Sequence, residues 1–165
     1  MKIELKNVKF SDFASEETNC FRADVYVNGK KAGYCKNDGH GGNTYVHVEN
    51  RNEVEDYCKS LPPIDFGGLK VNSNLENVVD MLFEDWLKEK SKKDLKKKLE
   101  KAMLKGICIE EENGFSVMTF KLGGKVMLLS DLFKVEKFVE AIRQTCMTLK
   151  ADGKTILNTN LPFKI

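Results

Sequence analysis

The sequence has few of the residue types that build metal sites or break a chain into segments. Its 165 residues include 3 prolines, 2 histidines and 1 tryptophan. Because catalytic zinc normally takes three protein ligands in a defined geometry, two histidines without a recognised ligand spacing give little support for a metal enzyme. No apolar run approaches the ~20 residues that span a bilayer. We therefore expect no membrane partner and no cofactor.

The cysteines show neither a disulfide framework nor a metal-binding spacing. An odd number of scattered cysteines, with no C-x-x-C pair, favours free thiols in a reducing cytosol. The first residues, MKIELKNVKF, alternate apolar and charged side chains, unlike a secretory signal. We therefore expect a cytoplasmic protein. The five cysteines are Cys20, Cys35, Cys58, Cys108 and Cys146.

Neither sign of charge dominates the composition. There are 27 lysines and arginines against 25 acids, a formal charge of +2, so any surface for nucleic acid must be local. A chain of this length can bury roughly two thirds of its unfolded surface in one core. We predict a single domain over residues 1–165, with segment 61–73, rich in proline and glycine, as the only plausible internal boundary.

The N-terminal half predicts antiparallel strands and two helices. Segment 2–10 predicts a strand with a bulge near Asn7, and Asn28-Gly29 predicts the turn of a hairpin over 20–35. A short helix is predicted over 51–60, and a long one from an N-cap at Asn74 to Gly106, either continuous or with a kink or restart near Ser91. The predicted core face of the hairpin holds Phe21, Ala23, Val25, Val27, Ala32 and Tyr34, with Cys20, Arg22, Asp24 and Cys35 on the other face.

The C-terminal half predicts a meander and a helix. Segment 107–129 predicts three strands with turns at Asn113-Gly114 and Gly123-Gly124, followed by a helix from Ser130 or Asp131. A tight turn at Asp152-Gly153 then precedes a strand or an extended tail. Antiparallel hairpin and meander modules packed with a long central helix and a C-terminal helix define an α+β fold. The predicted core face of the meander is Ile107, Ile109, Met118, Phe120, Met127 and Leu129.

The glycine-rich segment NDGHGGNTY, residues 37–45, is the first candidate site. Its glycines permit the mixed-handed backbone of an anion-binding nest, but it lacks the motifs of a phosphate loop or a dinucleotide fold. The alternatives are a structural loop, or a metal or acid/base site around Asp38, His40 and His47 that would suit phosphoester hydrolysis. We expect His40 to be at least partly exposed and bonded to backbone or to Asp38. The candidate ligand-binding residues are Asp38, Gly39, His40, Gly41, Gly42 and Tyr45.

The second candidate is a lysine-rich helix over residues 88–105. It holds nine lysines against three acids, which suits sequence-independent contact with phosphates. Because it has no arginine and no aromatic residue, it offers no base-specific contact. The alternative is a solvated helix face with i to i+4 ion pairs. The candidate nucleic-acid contacts are Lys92, Lys93, Lys96, Lys97, Lys98 and Lys101.

The third candidate is an apolar stripe that includes Trp86. At helical spacing with Val79, Leu82 and Phe83 it predicts packing on a sheet, although an exposed Trp86 would be an anchor for a protein partner. The sequence has no G-x-S-x-G motif, and no cysteine has a histidine near it in sequence. These patterns therefore indicate no catalytic nucleophile. We assign no catalytic residue and expect a protein that is not an enzyme.

Six segments serve as landmarks along the chain: KIELKNVKF, FASEETNCF, VNGKKAG, NDGHGG, ENVVDMLFEDWLKEKSKKDLKKKL and ILNTNLPF. Together they resemble small, uncharacterised proteins carried by tailed bacteriophages and prophages. The likeness runs along essentially the whole chain and implies a phage-related origin and the cytoplasm of an infected bacterium, but it transfers no catalytic residue. With the lack of a complete catalytic constellation and with the glycine-rich loop, it leads us to expect a non-enzymatic accessory protein that binds a host protein or an anionic small ligand, with counter-defence as one such role.

Overall fold

The chain forms two compact units, Met1–Glu89 and Lys90–Ile165, each with its own core. The computed structural model describes residues 1–165, residue 66 by its backbone alone. The division falls inside a long helix and not in segment 61–73. The α+β fold predicted from the sequence is confirmed, and the single domain stays a prediction.

Unit 1 is built on a four-stranded antiparallel sheet whose spatial order follows the chain. A short helix follows the sheet, then a small hairpin and the first half of the long helix. The sheet strands are β1 (Ile3–Ser11), β2 (Cys20–Val27), β3 (Lys30–Asn37) and β4 (Tyr45–Val48), followed by α1 (Arg51–Lys59), β5 (Ile64–Phe66), β6 (Leu69–Val71) and α2 (Leu75–Met103).

The first strand carries the predicted bulge. Pairing with β2 skips between Lys6 and Lys9, and Asn7 takes a positive φ of 52°. The amide of Asn7 donates a hydrogen bond of 2.8 Å to the Asp24 carboxylate. This bond links the bulge to the neighbouring strand. Asparagine also suits this position, because it tolerates a positive φ better than most residues.

A second bulge, which the sequence does not predict, reverses one face of β3. Val25 pairs with Gly33 but Tyr26 pairs with Lys31, so Ala32 is the extra residue. One inserted residue moves every later side chain to the other face. The prediction for two side chains is therefore wrong: Cys35 is fully buried in the core, and Tyr34 lies on the outer face opposite Asp24.

The core of unit 1 lies between the sheet and α2. The rings of Phe21 and Phe83 stack with centroids 3.8 Å apart, and Trp86 lies half-buried against Phe83 at 5.8 Å. The core interpretation of the tryptophan stripe is confirmed. The predicted N-cap is confirmed too, because the Asn74 side chain accepts a bond of 2.7 Å from the backbone N–H of Asn77.

The long helix continues through the lysine-rich segment without a break. Its 29 residues span about 43 Å at 1.5 Å per residue. The last turn ends before Gly106, where the next strand begins.

Unit 2 contains two separate hairpins instead of one meander. The third predicted strand is wrong: only Lys125 and Val126 pair, with Leu122 and Lys121, and Leu129 starts a helical turn in which it is fully buried. Met118, expected in the core, is 38% exposed. The elements are β7 (Gly106–Glu111), β8 (Gly114–Thr119), β9 (Lys121–Leu122), β10 (Lys125–Val126), α3 (Leu129–Leu132) and α4 (Glu136–Ala151).

The C-terminal segment lies along the free edge of β7. The backbone of Glu110 donates to Thr155, that of Leu157 donates to Cys108, and Ile156 bridges Ile109. The Asn158 side chain extends this pairing, because its oxygen accepts from the Cys108 N–H at 2.6 Å and its amide donates to Gly106 at 3.1 Å. This edge of β7 is thus paired and not left open.

Candidate functional site

Asn37, at the end of β3, organises the glycine-rich loop. Its side-chain oxygen accepts from the backbone N–H of Gly39 at 2.9 Å and from the Thr18 hydroxyl at 2.8 Å. Its amide donates to the Gly42 carbonyl at 3.0 Å and to the Thr44 hydroxyl at 3.2 Å. Asn37 is nearly buried, so these four bonds satisfy it and hold the loop in one conformation.

Backbone groups of the loop are hydrogen-bonded to residues 16–18. The Gly39 carbonyl accepts three consecutive N–H groups, from residues 16, 17 and 18, at 3.0, 3.0 and 3.3 Å. The Gly41 N–H donates to the Thr18 hydroxyl at 3.3 Å. Because the amides of Gly39 and Gly41 are already engaged, they are not free to form an anion-binding nest.

The predicted acid and the two histidines have separate partners. Asp38 pairs with Lys36 at 3.0 Å, and exposed His40 bonds to Glu16 at 3.1 Å. The prediction that His40 bonds to backbone or to Asp38 is wrong, because the 12–18 loop brings Glu16 to it. His47 lies in β4 with its ring 5.5 Å from that of Tyr34. Among the described residues no three His, Cys, Asp or Glu side chains are grouped to hold a metal ion.

One side of the loop lines an acidic cavity of about 390 Å³. Three carboxylates of α2 enter it, Glu76, Asp80 and Glu84, at helical spacing. The Thr44 hydroxyl donates to Asp80 at 2.6 Å. Burial, with a contribution from Glu84, raises the pKa of Asp80, and burial together with the charge of Asp80 raises the pKa of Glu76. Three acids disfavour an anion here.

The outer face of the sheet has the opposite character. Lys9, Arg22 and Lys36 lie directly opposite one another on β1, β2 and β3, and the same row ends at Tyr45 on β4. We call these three cations the cationic row. Like charges that face one another across strands destabilise a sheet, so the fold itself gains nothing from this arrangement.

The cationic row borders a shallow cavity of about 440 Å³. Phe10, Phe21 and Asp38 are among its other lining residues, and Asp38 pairs with Lys36. Among the described residues neither Lys9 nor Arg22 has a salt bridge. Two positive charges in a concave site are therefore available to an anion.

Next to the cationic row, three rings lie close together on the outer face of the sheet. Tyr34 lies 6.0 Å from Tyr45 and 5.5 Å from His47 between ring centroids, and the Arg22 guanidinium lies 5.7 Å from the Tyr34 ring. Tyr45 is 52% exposed. We call Tyr34, Tyr45 and His47 the aromatic cluster.

The sequence predicted only some residues of the surface formed by the cationic row and the aromatic cluster. It proposed Asp38 and Tyr45 as ligand-binding residues and placed Arg22 away from the core, but it placed Tyr34 inside. The alternation of Tyr45 and His47 in β4 was the available signal. The cationic row joins three strands, so its formation depends on cross-strand register.

From Lys90 onward the lysine-rich segment belongs to unit 2, and most of its side chains are exposed to solvent. Lys90 pairs with Asp94 at 2.7 Å, and this bond lowers the pKa of Asp94. Lys93, Lys96, Lys97, Lys98 and Lys101 are all exposed.

No cysteine resembles an activated nucleophile. All five thiols are free and four are buried. Burial raises the pKa of Cys35 to about 12 and that of Cys58 to about 11. Because the thiolate is the reactive form, such thiols are poor nucleophiles near neutral pH.

Comparison with known proteins gave no relative. No protein-family model, no curated protein and no solved structure matches the chain. Among the helices of the described residues, none has both the length and the hydropathy needed to cross a bilayer.

Proposed function

We propose that the protein is a non-enzymatic accessory protein of phage type that binds an anionic ligand on the outer sheet face of unit 1. The observation that carries this proposal is the cationic row beside a shallow cavity, in which Lys9 and Arg22 form no salt bridge in the described structure. An anion placed between these side chains would offset a repulsion that the folded protein otherwise retains.

The resemblance to phage proteins supports the biological setting. We propose action in the cytoplasm of an infected bacterium, in counter-defence, by binding an anionic small ligand or the anionic surface of a host macromolecule. The acidic cavity on the other side of the glycine-rich loop does not suit such a ligand, since Glu76, Asp80 and Glu84 line it.

The exposed lysines of α2 favour a second candidate function, non-specific binding of nucleic acid. An excess of exposed lysines over acids on one helix provides salt-sensitive contacts with phosphates. This candidate uses Lys92, Lys93, Lys96, Lys97, Lys98 and Lys101.

Titration with inorganic tripolyphosphate tests the leading proposal. We expect a saturable thermal shift that weakens as salt is added, because a ligand that binds only the folded state stabilises it. The double variant Lys9→Ala/Arg22→Ala should bind at least about tenfold more weakly, since charge-assisted bonds contribute about 1.5–3 kcal/mol each.

The matched control removes two positive charges elsewhere in unit 1. Lys30→Ala/Lys70→Ala changes the net charge equally but leaves the cavity intact. It should bind like the unsubstituted protein. Equal losses in both double variants, or no shift at all with the unsubstituted protein, would contradict the proposal.

A further inference from the structure

We infer that the anionic ligand of the outer sheet face is single-stranded nucleic acid, with phosphates on the cationic row and bases on the aromatic cluster. This inference rests on the proposed function and names its ligand class. Single strands are recognised without sequence preference by surfaces that combine a positively charged track with aromatic rings on which bases stack. Both parts are present on adjacent strands of this one sheet.

The geometry places rings and charges at the spacing that such a strand requires. Lys36 lies directly opposite Tyr45, and Tyr34 lies directly opposite His47. These two pairs are two residues apart along the strands, about 7 Å, and adjacent strands lie about 4.8 Å apart. A base stacked on Tyr45 would therefore have a cation within reach of its phosphate.

The rings are arranged to leave faces for a ligand. Tyr34 is inclined by 42° to Tyr45 and by 40° to His47, so the rings do not cover one another by stacking. Tyr34 is the most enclosed, since Arg22 lies over it. Tyr45 and His47 are exposed and provide the free ring faces, while Tyr34 packs next to both.

The charge of this face favours nucleic acid over a protein partner with a mixed surface. Its acids are already engaged: Asp24 bonds to Lys31 and Asn7, Glu4 to Lys2, and Asp38 to Lys36. Lys9 and Arg22 remain for phosphates, and Lys6 lies 4.4 Å from the Tyr26 ring.

The aromatic cluster also has a purely structural interpretation. Cross-strand aromatic pairs stabilise sheets by themselves. The test must therefore measure binding to bases separately from sheet stability and from phosphate binding.

The experiment compares two labelled 12-nucleotide probes by fluorescence anisotropy at low salt. One is oligothymidylate, and the other is an abasic oligodeoxynucleotide with the same phosphates and no bases. We expect oligothymidylate to bind about tenfold or more tightly than the abasic probe. Tyr45→Ala and His47→Ala should each remove most of this difference and leave the abasic affinity unchanged. Tyr45→Phe should retain it, because the ring and not the hydroxyl stacks.

Two further arms exclude other sources of binding. The variant Lys96→Glu/Lys97→Glu/Lys98→Glu reverses the charge at three lysines of α2 and should keep the preference for oligothymidylate. Emission of Trp86, which packs on the core of unit 1, verifies that unit 1 is folded in each variant, and far-UV circular dichroism verifies the fold of the lysine-to-glutamate variant in unit 2. A variant that fails this check is replaced by Tyr45→Leu or His47→Leu, which fills space without a stacking ring.

The outcomes separate the two proposals. Equal binding of both probes, unchanged in Tyr45→Ala, would overturn the base-stacking inference and leave the anion site in place. No binding of either probe, with no tripolyphosphate shift, would overturn both. Loss of all binding in the lysine-to-glutamate variant would assign nucleic acid to α2 and overturn the inference.

Discussion

Asn37 and Asp80 connect distant parts of unit 1 through the Thr44 hydroxyl. Thr44 accepts from the Asn37 amide and donates to Asp80. The loop is thereby fixed to α2 by one polar contact. Within the described residues no buried side-chain polar atom lacks a hydrogen-bond partner, so this network is complete, as buried polar networks must be to contribute to stability.

Replacing Asp80 by asparagine should stabilise unit 1 at neutral pH. Burial raises the pKa of Asp80 from its ordinary value of 3.8, so the folded state holds this proton more tightly than the unfolded chain. The contribution of Asp80 to the free energy of unfolding is then largest below pH 3.8, and it falls as the pH rises through the pKa of Asp80 in the folded state. Asp80→Asn keeps an acceptor for Thr44 and removes the buried charge. We expect a higher urea midpoint at pH 7, with the gain shrinking toward pH 4.

The comparison variant is Asp80→Ala, which has no acceptor for Thr44. It should be less stable than Asp80→Asn by about 1 kcal/mol, because the buried Thr44 hydroxyl loses its acceptor. If the urea midpoint of Asp80→Asn at pH 7 were at or below that of the unsubstituted protein, the buried charge of Asp80 would not destabilise the folded state.

At the scale of elements, close backbone approach determines where glycine is needed. At Gly33, between two paired strands, a Cβ would overlap the carbonyl of His47. This contact lies beside the bulge at Ala32, where β3 changes face. The pairing of β3 with β4 therefore requires a residue without a side chain at position 33.

The glycine-rich loop should tolerate alanine at Gly42 and not at Gly39. Gly39 has a φ of +90°, and a Cβ there would overlap the carbonyl oxygen of Ala14. Strain in this backbone region costs about 1–3 kcal/mol, and the overlap adds to it. We expect Gly39→Ala to lower the free energy of unfolding by about 2 kcal/mol or more, measured by Trp86 fluorescence in urea.

Gly42→Ala is the matched control. Its Cβ would meet no atom within 4 Å, so the change should stay within about 0.5 kcal/mol. Similar midpoints for the two alanine variants would mean that the loop rearranges easily and is not held by Asn37.

At the scale of the whole molecule, charge is divided unevenly between the units. Met1–Glu89 holds 11 lysines and arginines against 16 acids, whereas Lys90–Ile165 holds 16 against 9. The near-balance of the total conceals an acidic unit and a basic unit. The cationic row is thus a local feature of the acidic unit, and its binding should depend on named residues more than on net charge.

The two cores should respond separately to a substitution in the C-terminal segment. Asn158→Ala leaves the Cys108 N–H in β7 without its acceptor, which should cost unit 2 about 1–3 kcal/mol. Trp86, the only tryptophan, belongs to the core of unit 1. We expect the far-UV circular dichroism transition of this variant to begin earlier in urea while the Trp86 transition stays in place.

Asn158→Asp provides the graded comparison, since it keeps the acceptor for Cys108 and loses the donor to Gly106. Its transition should fall between those of the unsubstituted protein and Asn158→Ala. If circular dichroism and Trp86 fluorescence shifted together, the result would favour the single domain predicted from the sequence.

Local chemistry in the sequence determined the turns, caps and apolar stripes of this protein. Asn28-Gly29 forms a hairpin turn and Asn74 caps α2, because the preferences that drive them act within a few residues. The turn predicted at Asn113-Gly114 lies one residue earlier, at Glu112-Asn113, because Gly114 already pairs with Glu111. Only the tertiary structure decided the faces of β3, the partner of His40 and the cationic row. Each depends on residues far apart in the chain, and one extra residue at Ala32 was enough to exchange Tyr34 and Cys35 between solvent and core.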